Sequence, residues 1–327
     1  MKMLKSLAFA TLAATVAVAA PAQTIKATIP TAQPTVGLGA NPITNKIYVA
    51  APTFGGSADA ILVIDGKTDK VIKQIPVPVG AANFVVVDYL RNLVYAVGCD
   101  NYSATFSCLE TEINGKTDAV VTTQTILTHP GDGILGVAFD PICRKLFIAN
   151  GSDSRVDVIN AVTGKIVENI NTSNLEPFGI AFNPVDQRLY IPFVTGQAEV
   201  FDVRHHTRIA DVIVGDTNIF AAANLVTGHV FVTNDDLGVA TTIVLDKDGT
   251  VLAQIPVQDN PYGVDVDPTT NKVYVANTGT GNLTVIDGKT NAVTATLSGV
   301  NANYVAVNFG SRKVYLSGNT GITVVAE

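Results

Sequence analysis

Tryptophan is absent from this chain, only 15% of its residues are charged, and cysteine occurs three times. The cysteines form no CxxC or CxxCH pattern and no Cys/His ligand spacing, which leaves zinc and c-type haem without support. A GxSxG elbow, an HExxH helix and a P-loop are all missing, so the common hydrolase, metalloprotease and nucleotide-binding signatures do not apply. Asp246-Lys247-Asp248-Gly249 partly matches a calcium loop but lacks the further acidic ligands and the distal Glu, and it reads as a β-turn. Neither a metal nor a cofactor is expected. Beyond residue 20 no apolar run approaches the length of a membrane-spanning helix, so no transmembrane segment is expected in the mature chain.

Positive charge is scarce too. The 21 Lys and Arg are outnumbered by 28 Asp and Glu, for a formal charge of −7. Lys2 and Lys5 precede the apolar run Leu7–Ala20 and the triplet Ala20-Pro21-Ala22, the layout of an export signal. Residues 1–22 therefore read as a signal peptide, residues 23–327 as the mature domain, and the periplasm or the cell exterior as the destination. No cysteine stands directly after the apolar run, which argues against a lipid anchor. Loss of those two lysines takes the formal charge from −7 to −9. Such a balance repels phosphate backbones, so nucleic acid is not an expected partner. A basic turn, Arg204, His205, His206 and Arg208, reads as a solvated hairpin. Export permits a disulfide, for which Cys99 and Cys108 are the candidates because they flank the loop of one hairpin; Cys143 would remain a packed free thiol.

What the chain does contain is Val, Ile and Ala in short runs, with 27 glycines between them, an all-β composition. The runs repeat. An aromatic centred in an apolar triplet recurs at Tyr48, Tyr95, Phe147, Tyr190, Phe231, Tyr274 and Tyr315, at spacings of 41 to 52 residues. The units share one internal order: an inner strand, a turn such as Asn41-Pro42 or Asp140-Pro141, the aromatic strand, a third strand ending in Asp or Asn as at Asp65 and Asp287, and a turn such as Gly66-Lys67-Thr68 into a fourth. Seven such units make a seven-bladed β-propeller of four-stranded antiparallel blades. The seventh unit has only three strands, and Thr24–Pro30 resembles the fourth strands Val71–Pro76 and Val251–Pro256. The N-terminal strand is therefore expected to complete the last blade beside Ile322–Val325, burying Ile25 and Ile29.

Phe231-Val232-Thr233-Asn234 and Tyr274-Val275-Ala276-Asn277 closely resemble the motif of the YVTN β-propeller repeat family, and the resemblance covers essentially residues 24–327. It is weaker in blade two, with its long cysteine-bearing loop, and in blade five, where Asn224-Leu225 replaces Asp-Pro. The resemblance implies seven blades and export or surface display. It implies no single activity, since some related propellers are lactone hydrolases or lyases and others are binding or surface-layer modules.

Candidate site residues come from breaks in the repeat. Two residues before the inner turn, six blades carry Gly39, Val86, Ala138, Ala181, Ala222 and Ala306, and one carries Asp265. A carboxylate among small residues near the axis needs water, a partner or a ligand. Four residues before the turn, Gly37, Gly136, Gly179 and Gly263 alternate with Phe84, Phe220 and Tyr304; Asn83, Tyr262 and Asn303 lie one residue earlier. Together they describe a small-molecule cleft at one channel mouth, or else aromatics that fill gaps between blades. Glu176 and His129 lie in connections to the same mouth. The leading expectation is a monomeric binding or interaction module for an unknown small molecule or protein. The alternative is a lactonase-like hydrolase or lyase using Asp265, Glu176 or His129, with or without a divalent ion.

Overall fold

The computed structural model describes residues 23–53, 58–100, 107–127, 133–173, 176–235, 239–300 and 303–327. The expected signal peptide and His129 lie outside the described residues. Among those residues the chain forms 28 strands in seven four-stranded antiparallel sheets. Blade one runs Leu38–Asn41, Lys46–Ala51, Asp59–Asp65 and Lys70–Val77, from the axis outward. The seventh sheet joins Tyr304–Asn308, Lys313–Gly318 and Gly321–Ala326 to the N-terminal strand Thr24–Ile29. The ring is thus closed by the two chain ends, with Ile29 opposite Ile322 and Ile25 opposite Val325.

That closing strand copies its counterparts in detail. In all seven blades the third and outer strands slip by one residue near the outer strand's start, for instance between Val63 and Ile64 and between Val285 and Ile286. The N-terminal strand has the same bulge, at Lys26, between Ile25 and Ala27. A bulge adds twist and blunts an exposed edge. It also interrupts the two-residue alternation, so only half of the burial expectation holds: Ile29 is 6% exposed, but Ile25 is 44% exposed. Ile29 packs with Leu38 and Ile47 of blade one, so this strand also seals blade seven against its neighbour.

All seven repeat aromatics are fully buried between blades. Five are tyrosines, and a buried phenol needs a partner. The next blade supplies it. Tyr48 donates to Asp118 at 3.1 Å, Tyr315 to Asp69 at 2.8 Å, Tyr190 to the Lys247 carbonyl at 3.4 Å, and Tyr274 to Glu327; Arg144 donates to the Tyr95 hydroxyl at 2.8 Å. Two residues before Tyr48 and Tyr315, Lys46 and Lys313 reach the same aspartates at 2.6 and 2.7 Å, and the Gly115 and Gly66 carbonyls beside them. The Lys-x-Tyr and Gly-Lys-Thr-Asp segments are therefore two halves of an interblade clasp.

A second set of ties runs nearer the axis. Asn41, Asn224 and Asn308 donate their amides to Asn92, Asn271 and Asn45 of the following blade at 2.6–2.9 Å. The acceptors have φ of 55–56°, a left-handed conformation that asparagine tolerates.

Candidate functional site

The inner strands place their first residues at one end of the axis, and glycine decides how closely they converge. A Cβ on Gly37 would lie 2.8 Å from the Phe84 Cα of the next blade, and one on Gly263 would lie 2.8 Å from the Tyr304 Cα. A Cβ on Gly179 would meet the Phe220 ring at 2.5 Å. In blade three, Gly136 admits the Phe178 carbonyl. The alternation of glycine and aromatic thus has a packing cause: three of these glycines make room for the aromatic residue of the following blade. The backbones then bond directly, Gly37 N–H to Asn83 O at 3.1 Å and Gly263 N–H to Asn303 O at 2.9 Å.

The aromatics from blades four to seven gather into one cluster. Phe220 has its ring centroid 4.9 Å from that of Tyr262 and 5.8 Å from those of Phe178 and Tyr304, and Tyr262 meets Tyr304 edge-on at 5.4 Å. Burial, with the neighbouring Tyr262 hydroxyl adding to it, raises the Tyr304 phenol above the usual tyrosine range. Beneath and beside this cluster lies an axial cavity of about 210 Å³, whose lining includes Phe84, Phe220, Tyr304 and Asp265.

Asp265 is tied into the wall. Its Oδ1 accepts the Val266 N–H and its Oδ2 accepts the Val307 N–H of blade seven, both at 2.8 Å. It is half-buried and lines the axial cavity. Burial pushes the carboxyl up to about 6, with the Asp267 charge adding and the two backbone bonds opposing. The carboxylate is therefore both a strut between blades and an acceptor facing the channel.

The remaining sequence candidates separate. Asn83 and Asn303 are half-buried, and their backbones form the interblade bonds just given. Glu176 is exposed, has a φ of 58° and is not among the described residues lining the axial cavity. Cys99 and Cys108 stand directly opposite on paired strands and are joined by a disulfide. Cys143 is exposed rather than packed, because it sits within the inner turn of blade three, between the strands Ile134–Asp140 and Lys145–Asn150, where its N–H bonds Asp140. Among the described residues no three His, Cys, Asp or Glu side chains converge to hold a metal ion.

The candidates read from breaks in the repeat belong to one mouth of the channel, and the opposite mouth has a lining of its own. There, a second cavity of about 250 Å³ is lined by Pro42, Tyr89, Pro141, Pro184, Leu225 and Phe309, each the residue following a turn Asn or Asp. Their common position in the repeat is the signal that would have found them. The two cavities share Val85 and Val86, so they meet partway along the axis.

No family model matches the chain. Two curated relatives, each described as "uncharacterized protein YncE", from Salmonella typhi and Salmonella typhimurium (strain LT2), are 26% identical over 184 residues. The match covers 54% of this chain and 52% of theirs, so the chain spans about half the length of the curated relatives it matches. Among solved structures, Kuenenia stuttgartiensis hydrazine synthase superposes with a TM-score of 0.73 at 15% identity, covering 91% of this chain and 97% of that one. At that identity the likeness shows the fold alone, a seven-bladed β-propeller.

Proposed function

We infer that this chain is an exported propeller of the YVTN-repeat type, a monomeric binding module that takes a small ligand at the axial mouth. The observation carrying this reading is Asp265, an acceptor facing a cavity of about 210 Å³ beside Phe220 and Tyr304. A carboxylate next to aromatic faces suits a small organic cation, held by charge and by the ring quadrupoles. The signal-like layout of residues 1–22, Lys2 and Lys5 before the apolar run Leu7–Ala20, supports export to the periplasm or the cell exterior. The Salmonella relatives carry no described activity, and the fold by itself hosts many.

Calorimetric titration with trimethylammonium and primary amines tests the reading. Asp265→Asn is expected to weaken binding at least roughly tenfold, and wild-type affinity is expected to fall as the pH drops below about 6, where the carboxyl is protonated. Equal affinity in both proteins would remove Asp265 from the site; a melt of the variant checks that the Val307 tie still holds blade seven. A second reading, a lactonase-like hydrolase or lyase, draws on the same group, since a carboxyl near 6 suits general acid or base work. Specific lactone turnover lost in Asp265→Asn would favour it over the first.

A further inference from the structure

The end of the propeller opposite the Asp265 mouth carries a surface pattern that the axial site does not use. Each inner turn begins with Asn or Asp, and in six of the seven blades its side-chain oxygen accepts an N–H of its own turn. Asn41 accepts from Ile43, Asp140 from Ile142, Asn183 from Val185 and Asn224 from Val226, at 2.8–3.0 Å. The residue so presented projects outward. In five consecutive blades it is aliphatic: Ile43, Leu90, Ile142, Val185 and Val226 are 69, 60, 60, 71 and 74% exposed. Thr269 and Gly310 take the position in the last two blades. The arc surrounds the apolar well of about 250 Å³ that contains Tyr89 and Phe309.

Outside the arc lie the turns between third and outer strands, which share this face because alternate turns of an antiparallel sheet emerge at the same end. Gly66, Gly115 and Gly288 of these turns donate to the inner-turn residues Asn45, Asn92 and Asn271. The exposed tip residue is Lys67, Lys116, Arg204, Lys247 or Lys289 in five blades. The acids of the same turns point inward: Asp65, Asp202 and Asp287 accept backbone N–H groups of their own turns at 2.7–2.9 Å. Asp248, paired with Lys247 at 2.6 Å, is an exposed acid among them. Exposed Glu176, Asp216 and Asp259 lie in the connections at the opposite end. An acidic protein thus gathers its outward positive charge on the face that also exposes its aliphatic arc.

We propose that this face docks on an anionic lipid bilayer, with the aliphatic arc entering the headgroup–acyl boundary and the outer lysines and arginine resting against lipid phosphates. The charge pattern selects this occupant. Two copies meeting face to face would oppose their basic rings, and a nucleic acid would engage the cations and leave the aliphatics in water. Five separate side chains at the tips of five turns fit a fluid boundary that closes around each of them. The proposal is independent of the axial ligand.

Co-sedimentation of the mature chain with vesicles of phosphatidylglycerol and phosphatidylcholine in equal parts, and with phosphatidylcholine alone, tests it. Binding to the mixed vesicles is expected, reduced roughly tenfold or more both by Leu90→Ser/Ile142→Ser/Val185→Ser and by Lys67→Gln/Lys116→Gln/Lys289→Gln, and weakened by salt. All six positions are exposed, and unchanged melting of both triple variants checks that the fold persists. No sedimentation with anionic vesicles overturns the proposal, as does vesicle binding that neither triple variant reduces. Duplex DNA binding lost only in the lysine variant, or a dimer lost only in the aliphatic variant, would also overturn it in favour of that partner.

Discussion

Glu110 occupies the third-strand position of blade two where blades one, three and seven have Ile61, Val156 and Ile322. It is fully buried; its Oε2 accepts from Gln124 at 3.0 Å, and its Oε1 has no hydrogen-bond partner among the described residues. Burial pushes this carboxyl up to about 7, with Glu112 adding and Gln124 and Arg144 opposing. The folded state therefore keeps a proton that the unfolded chain releases across the window from about 4.5 to about 7. The stability associated with that proton is present below the window and is lost as pH rises through it, a change on the order of 3 kcal/mol. Melting curves across the window should fall with pH in the wild type and fall less in Glu110→Gln. Parallel trends in the two proteins would mean that Glu110 is not the group responsible.

Among elements, the outer strands are mostly exposed, and a single isoleucine near the end of several of them carries the packing: Ile29, Ile75, Ile170 and Ile255 are 3–6% exposed. Truncating such a residue removes transfer energy and leaves a cavity, so Ile29→Ala should cost about 2–4 kcal/mol. Ile25→Ala, on the far side of the bulge and 44% exposed, should cost under about 1 kcal/mol. Denaturant unfolding of the two variants measures the difference, and equal losses would contradict the register of the closing strand.

For the whole molecule, closure joins residues from opposite ends of the chain. The outer strand of blade seven is the N-terminal strand, and the seam onto blade one adds Lys313 and Tyr315 on Asp69. The Lys313 and Asp69 side chains are 9% and 7% exposed, so removing the carboxylate leaves a buried ammonium unpaired. Asp69→Ala should destabilise the ring by about 3–5 kcal/mol, and Asp69→Asn, which keeps an acceptor, by less. Unfolding free energies of the three proteins decide it, and an Asp69→Ala loss near zero would show that the seam holds without the clasp.

The number of blades, the order of strands within them and the joining of the two chain ends were legible in the sequence because each depends on a short pattern repeated seven times. Alternation, turn residues and the aromatic triplet are local, and a repeat displays them without reference to the neighbouring blade. What lay outside that pattern was left to tertiary structure. Whether Asp265 is paired depends on the Val307 N–H, 42 residues away in the next blade. Whether Ile25 is buried depends on a bulge that reverses the strand's alternation. The separation of outward basic tips from inward turn acids depends on which side-chain oxygens the backbone captures. Such outcomes follow from distances between blades and from competition for hydrogen bonds, and the folded ring sets both.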